Sequence, residues 1–396
     1  MIPALRQTFN AAFTEARYAA TQKRMEERLG CEIHFRMCET PVLLPPDLRD
    51  EMVRSAQEIL AELSRPEQLA FSREAIPQGL DVPGEGPHPF CAVVDFGVVE
   101  DKGRLVPRLI ELQAFPSLYG FQLFQAQEQR RDMPGGQAFG FLLSGLDEEG
   151  YRQTVGEALT NGHPAENVVL MDIDPPTQKT YPDFAATEKL WGIRPVDATK
   201  LRKRGRELWY DRDGRSTRIL RIYNRVIFDE LFAKKIELPF SFTEPLDVEW
   251  AGHPNWYFRW SKHSLPRLTH PAVPETRFLS DFARWPEDLG AWVLKPLFSF
   301  AGSGVKVDVT AADLDAIAPA QRREFILMRK VTYAEAVASA YGGASKVEVR
   351  IMFLWKDGEP LPVTTLARLS QGRMMGVAFN KDKKWVGSSS CLWPAT

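Results

Sequence analysis

Lys295 closes the apolar run Trp292, Val293 and Leu294, is followed at once by Pro296, and precedes a turn holding Gly302 and Gly304 and a short β-like run to Val307. A lysine at the end of a buried strand is costly unless its ammonium reaches a partner. Glycines in the next turn let backbone N–H groups come close to a bulky anion. These residue types point to a clamp for the phosphates of a nucleotide. The order is not that of a Walker A loop, which needs Gly-x4-Gly-Lys-Ser/Thr. Nor is it the dinucleotide fingerprint, because the lysine precedes the glycines and no helix evidently follows. A plain β-hairpin with a glycine turn and a lysine exposed at its mouth accounts for the same stretch.

A second set of residues lies far earlier. Asp95 sits within one β-like run, and Glu111 and Gln113 end the run expected to pair with it. Residues two apart on a strand face the same way, so Glu111 and Gln113 project together. If Asp95 shares that face, three oxygen donors converge as a hard cation such as Mg2+ prefers. Without a cation, two close carboxylates repel and one tends to keep a proton. A solvated sheet face explains the same three residues without any ion.

The elements that would position these groups are legible in outline. Residues 1–89 read as an N-terminal helical region, with helical spacing over Ala4 to Leu29, a stop at Gly30, and a second helix from Asp47, its possible cap, to Leu63. Residues 90–165 begin with a strand pair, Phe90 to Val99 and Leu105 to Leu112, around the turn Glu100 to Gly103, and continue with a helix over 117–131. Residues 166–245 open strand, helix, strand: Asn167 to Asp174, Thr180 to Leu190, Arg194 to Asp197. That order starts an α/β sheet. A hairpin follows around Asp213 and Gly214, using Glu207 to Tyr210 and Arg218 to Tyr223. Residues 246–396 hold the Lys295 strand, a helix at Ala311 to Ala318, a strand at Glu324 to Arg329, a hairpin of Val347 to Trp355 with Leu361 to Leu369 around Asp357 and Gly358, and a further strand at Met374 to Phe379.

The chain has 396 residues, 44% hydrophobic and 26% charged, which is enough for more than one domain and ordinary for a globular protein. A net charge of -2 argues against a nucleic-acid coat or a membrane-surface protein. The densest basic cluster, Lys200, Arg202, Lys203, Arg204 and Arg206, reads as a solvated helix face. Cys31, Cys38, Cys91 and Cys391 form no metal-type spacing and read as thiols of a reducing compartment. The first residues carry no apolar signal region, and no run approaches the roughly 20 apolar residues of a membrane span. A cytoplasmic location is expected. His253, His263 and His270 are expected in loops or at the surface, and the six histidines form no evident catalytic set.

In their order along the chain, these motifs resemble a circularly permuted ATP-grasp protein, of the branch that includes glutathionylspermidine synthase and related amide ligases. Asp95 and Phe96, followed by Glu111, Gln113 and Pro116, resemble the family's metal-binding strands. Lys295, Pro296, Gly302 and Gly304 resemble its lysine-proline and glycine-loop pattern, and Ser261, Lys262 and Pro266 its upstream lysine segment. Phe325 to Lys330 stands where a strand passes the adenine ring, and Arg350 and Arg368 lie on strands suited to a triphosphate. Two positions depart from the pattern. Gln113 stands for an asparagine, and Val93 stands where the family has an arginine.

The resemblance implies an α/β ATP-grasp-like fold, circularly permuted, with a Rossmann-like segment at 166–245 before the nucleotide-binding region. It implies ATP and Mg2+ as cofactors. Lys262, Lys295, Ser299, Gly302, Ser303, Gly304, Met328 and Lys330 would bind the nucleotide, Asp95, Glu111 and Gln113 the metal, and Arg350 and Arg368 would act in catalysis. It further implies an ATP-dependent ligase that joins a small-molecule or peptide carboxylate to an amine through an acyl phosphate. A non-catalytic nucleotide-binding or scaffolding protein on the same fold is the alternative. Neither nucleic acid nor membrane is an expected partner.

Overall fold

The structure, a computed structural model, describes residues 1–298, 304–372, 375, 380 and 382–395. Ser299, Gly302 and Ser303, and most of the strand expected at Met374 to Phe379, lie outside the described residues. The protein is a mixed α/β structure with several sheets.

The largest sheet has six strands and is antiparallel. Its order runs Gly387–Ser389, Glu359–Ser370, Ala344–Lys356, Cys91–Asp101, Arg104–Gln113, with Val337–Ala338 pairing beside Ala344–Lys356. The Cys91–Asp101 strand of the early acidic pair therefore hydrogen-bonds to the late hairpin, and Arg104–Gln113 joins the sheet through it. The Cys91–Asp101 strand is central and buried on both faces along most of its length. Its Ala92, Val94, Phe96 and Val98 pack with Val349, Ile351 and Phe353 under the helix Pro46–Leu63, which contributes Leu48, Met52, Ala56, Ile59 and Leu60. On the opposite face, Val93 packs with Met352, Leu366, Leu123 and Tyr151. Asp95 and Gly97 continue that second face by the two-residue period of a strand.

The turns follow from their sequences. Asp357 and Gly358 take φ values of 53° and 85°, and Asp213 and Gly214 take 54° and 78°. Both central residues at positive φ make the type I′ geometry that matches strand twist, which is why Asp-Gly recurs there.

A second sheet has four parallel strands in the order Glu249–Ala251, Arg221–Asn224, Val168–Asp172, Arg194–Asp197. Val168–Asp172 is buried throughout, as a strand covered on both faces must be. The helix Tyr181–Trp191 crosses over and ends at Gly192, whose φ of 69° caps it. In chain order the strands go to one side of Val168–Asp172 and then to the other. The carboxyl ends of Val168–Asp172 and Arg221–Asn224 thus flank the point where direction reverses. A third sheet, Thr276–Phe278, Phe325–Arg329 and Trp292–Pro296, is antiparallel and carries Lys295.

Three expectations are corrected. The helix expected over Ala4 to Leu29 is two helices, Pro3–Ala12 and Glu15–Leu29: the first ends where Phe13 turns extended, and Thr14 caps the second by accepting from the Arg17 N–H. Asp47 is not the cap of its helix; Pro45 is, and Asp47 lies in the first turn. The basic cluster is solvated but not helical. Arg202–Arg204 is a short edge strand whose three side chains are exposed, pairing with Glu207–Arg212, which sends Leu208 and Tyr210 into the core. Charged residues on an exposed edge keep other strands from adding to it.

No helix among the described residues is long and apolar enough to cross a membrane.

Candidate functional site

Cross-strand register assembles the charged residues. Asp95 lies directly opposite Glu111 on one side and Arg350 on the other. Glu348, two residues before Arg350, lies opposite Gly97 and, across the hairpin, opposite Arg368. Asp95, Glu111, Glu348, Arg350 and Arg368 therefore share one face of the six-stranded sheet.

Asp95 is 2% exposed. Arg350 grips it with two bonds, Nε to Oδ1 at 2.6 Å and Nη2 to Oδ2 at 2.7 Å. Arg368 donates to the same Oδ2 and to Glu348 Oε2 at 3.0 Å. Burial by itself would raise the Asp95 carboxyl. The two guanidiniums outweigh it and hold Asp95 below the usual carboxylate range. Glu348 goes the other way. Burial raises its pKa, Arg368 only partly offsets this, and Tyr333 donates a hydrogen bond to it. Tyr333 fits because Gly97 lies beneath it. A Cβ at residue 97 would come 2.7 Å from the Tyr333 ring.

The pairing of Asp95 with Glu111 and of Phe96 with Leu109 leaves Ile110 without a cross-strand partner. Such a bulge frees a ladder carbonyl and bends the strand. Lys295, arriving from the third sheet, donates from Nζ to the Ile110 carbonyl at 2.9 Å and lies 3.2 Å from Met328 Sδ. Burial pulls the Lys295 ammonium below the ordinary lysine range, and Glu111 opposes that pull. Lys262 approaches Glu111 at 3.5 Å. It is delivered by the segment 260–272, which hydrogen-bonds along this strand, Ala114 N–H to Trp260 and Leu109 N–H to Ala272. Burial would raise Glu111, and Lys262 holds it below its usual value.

The structure thus brings Asp95, Glu111, Lys262, Lys295, Met328, Arg350 and Arg368 together. Gln113 faces the same way as Glu111, opposite Val93. Gly304, at a φ of 73°, packs on Pro296. Lys330 points elsewhere, its Nζ 3.8 Å from Asp308. Lys295 is not at an exposed hairpin mouth. Glu348 and Tyr333 escaped the sequence reading, although Glu348 stands two residues before Arg350 on an alternating strand, and that spacing was the available signal.

A second feature lies at the reversal point of the parallel sheet. Arg225, just after Arg221–Asn224, is 7% exposed, and its Nε and Nη1 have no hydrogen-bond partner among the described residues. Its guanidinium lies 5.0 Å from the Phe115 ring and 5.8 Å from that of Phe184. Phe115 belongs to the segment leaving Gln113, and its ring meets Tyr257 edge-on at 5.6 Å. Asp172, at the end of the neighbouring strand, is pushed up to about 7 by burial, against the pull of Arg225.

Two histidines correct their expected placement. His253 and His263 are 5% and 4% exposed, and burial lowers both to about 4. His263 stacks on Phe71 at 4.6 Å. Burial favours the neutral ring in both, and His253 also caps the helix Pro254–Arg259 by accepting from the Asn255 N–H.

The residues fit a polyanion better than a cation. Lys262, Lys295, Arg350 and Arg368 form a positive arc beside half-buried Glu111, and their donors suit phosphate oxygens. A divalent cation needs open carboxylate oxygens. Both oxygens of Asp95 are taken by guanidiniums, and no group of three His, Cys, Asp or Glu among the described residues is placed to hold a metal. Among the described residues the donor set, with Asp95 held by two guanidiniums and Glu111 facing Lys262, does not fit Mg2+.

No protein-family model matches the chain, and no curated protein matches it. Among solved structures, it is similar to a glutathione synthetase-like effector from Globodera pallida in its apo form, with a TM-score of 0.61 and 14% sequence identity over 96% of each chain. At that identity the likeness is one of fold, and it extends over nearly the whole length of both proteins.

Proposed function

We propose that the protein is an ATP-dependent carboxylate–amine ligase on a circularly permuted ATP-grasp-like fold, with 166–245 as a Rossmann-like segment. The observation that carries this most is the Lys295 ammonium on the Ile110 carbonyl, which sets the nucleotide-type lysine beside the acidic strand pair. The fold likeness to a glutathione synthetase-like effector points the same way.

Each residue has a role that its surroundings suit. Lys295 and Lys262 bind phosphate oxygens, each charge-assisted bond contributing about 1.5–3 kcal/mol. Arg350 and Arg368, held in place by Asp95, offset negative charge as a phosphoryl group moves. Arg225, a buried guanidinium with free donors, holds the carboxylate end of the acid substrate. ATP supplies the phosphoryl group that activates the acid. The γ-phosphoryl passes to a carboxylate oxygen as its bond to ADP breaks and ADP leaves, the amine then attacks the acyl carbon and gives up a proton to solvent, and phosphate leaves with the oxygen it received. No covalent protein nucleophile is needed.

A non-catalytic nucleotide-binding protein on the same fold is favoured by one specific observation, the closure of Asp95 by two arginines. The two readings separate in one experiment. The full chain is incubated with ATP and mixed pools of acids and amines, phosphate release is followed by 31P NMR, and products are sought by mass spectrometry. A new amide formed in step with phosphate supports the ligase. Nucleotide binding without phosphate release across those pools selects the binding protein.

A further inference from the structure

We propose that Asp95 is a positioning residue for Arg350 and Arg368 rather than a cation ligand, so that this cluster binds the polyphosphate of a nucleotide without a divalent cation. The proposal rests on the nucleotide site described above and specifies how that site meets the phosphates.

The geometry is specific. Arg350 lies opposite Asp95 in the antiparallel ladder and makes a two-bond fork with it, Nε to Oδ1 and Nη2 to Oδ2. A forked pair fixes the guanidinium plane as well as its position. Arg368 comes from the next strand and occupies the same Oδ2. These three bonds fill most of the lone-pair positions of the Asp95 carboxylate, and a divalent cation on the position that remains would sit against two guanidiniums unless they withdrew. Glu348 could receive Arg368, since it lies opposite it in the hairpin. Arg350, 9% exposed, lies opposite Leu366 on its other side and, among the described residues, has no second carboxylate as a hydrogen-bond or ion-pair partner. Stranding a buried guanidinium is strongly unfavourable.

The remaining acidic group fits the same picture. Glu111, which neither arginine closes, already faces the Lys262 ammonium at 3.5 Å. Around it, Lys262, Lys295, Arg350 and Arg368 outnumber Asp95, Glu111 and Glu348. Glu348 is itself engaged, accepting from Tyr333 and pairing with Arg368 at 3.0 Å. The groups that would meet phosphate oxygens are thus already in place, Arg350 and Arg368 on the six-stranded sheet, Lys295 on the third sheet and Lys262 on the adjoining segment.

The test uses the full chain. Mn2+ binding is read by electron paramagnetic resonance on the wild type and on Asp95→Asn. Binding of ATP and of inorganic tripolyphosphate is read by calorimetry in EDTA and in excess Mg2+. The expected result is no Mn2+ population that depends on Asp95, and anion binding no weaker in EDTA than in Mg2+. Anion binding that requires Mg2+, or bound Mn2+ that disappears in Asp95→Asn, overturns the proposal while leaving the nucleotide site standing. Absence of ATP and tripolyphosphate binding under both conditions overturns the two together. Should Asp95→Asn not fold, Glu111→Gln probes the same cation position with the arginine pairs intact. Loss of bound Mn2+ there counts against the proposal, and binding that is still no weaker in EDTA counts for it.

Discussion

The ammonium of Lys295 lies 2.9 Å from the carbonyl of Ile110, a residue that the bulge in its strand leaves without a cross-strand partner. A local defect in one sheet is completed by a side chain from another. Lys295→Ala leaves that carbonyl without its donor, and the expected loss is about 1–3 kcal/mol. Urea unfolding with an unchanged m-value checks it. A loss near zero would mean that water replaces the lysine at no cost.

Arg350 and Asp95 form the most closed ion pair of the cluster. Arg350→Met leaves a carboxylate at 2% exposure with Arg368 alone. The expected cost is about 3 kcal/mol, the lower end for breaking a buried pair, because one cation stays. Asp95→Asn placed in the same chain removes the uncompensated charge and recovers much of that loss. A double-mutant cycle measures this coupling, and additive single effects would contradict the pairing.

Gly97 is required by a neighbour rather than by its own backbone. A methyl group at residue 97 meets the Tyr333 ring at 2.7 Å and the Ile110 side chain at 3.1 Å. Gly97→Ala is expected to cost about 1–3 kcal/mol through overpacking. Gly97→Ala combined with Tyr333→Ala should cost less than the sum of the two, read by thermal unfolding.

Asp172 gives a pH signature. Burial raises it to about 7, with Arg225 and Lys234 lowering it and Glu230 raising it. A raised carboxyl means that the folded protein binds a proton the unfolded chain has already lost. Stability contributed by this group is therefore fully present below the unfolded value near 3.9 and declines as pH rises toward about 7. The slope inside that window is up to about 1.4 kcal/mol per pH unit. Asp172→Asn should flatten the decline. An unchanged pH profile in that variant would assign the effect elsewhere.

Much of the scaffold was legible in the residues because its signals are local. Alternation over Val347 to Trp355 and Leu361 to Leu369, with Asp357 and Gly358 between, specifies the hairpin that the structure contains, Ala344–Lys356 and Glu359–Ser370. The strand pair of Asp95 and Glu111 was visible for the same reason. What was not visible depends on register and on distant packing. The bulge at Ile110 exists only once two strands are aligned. The fork between Arg350 and Asp95 joins residues 255 positions apart, and composition carries no trace of it. His263 looks like a surface residue until Phe71 and Phe278 close around it. The run from Lys200 to Arg206 has no apolar periodicity of its own, so its strand state comes from the partner Glu207–Arg212.

The central claim is that Lys295 and the arginine pair form a nucleotide phosphate site. Calorimetric titration of ATP into the wild type and into Lys295→Met tests it most directly, since methionine keeps most of the apolar stem and removes the ammonium with its charge and its N–H donors. Loss of one charge-assisted contact predicts affinity about 10- to 100-fold weaker in the variant, with its fold intact by circular dichroism. Equal affinity in the two proteins, or no ATP binding to the wild type, would contradict it.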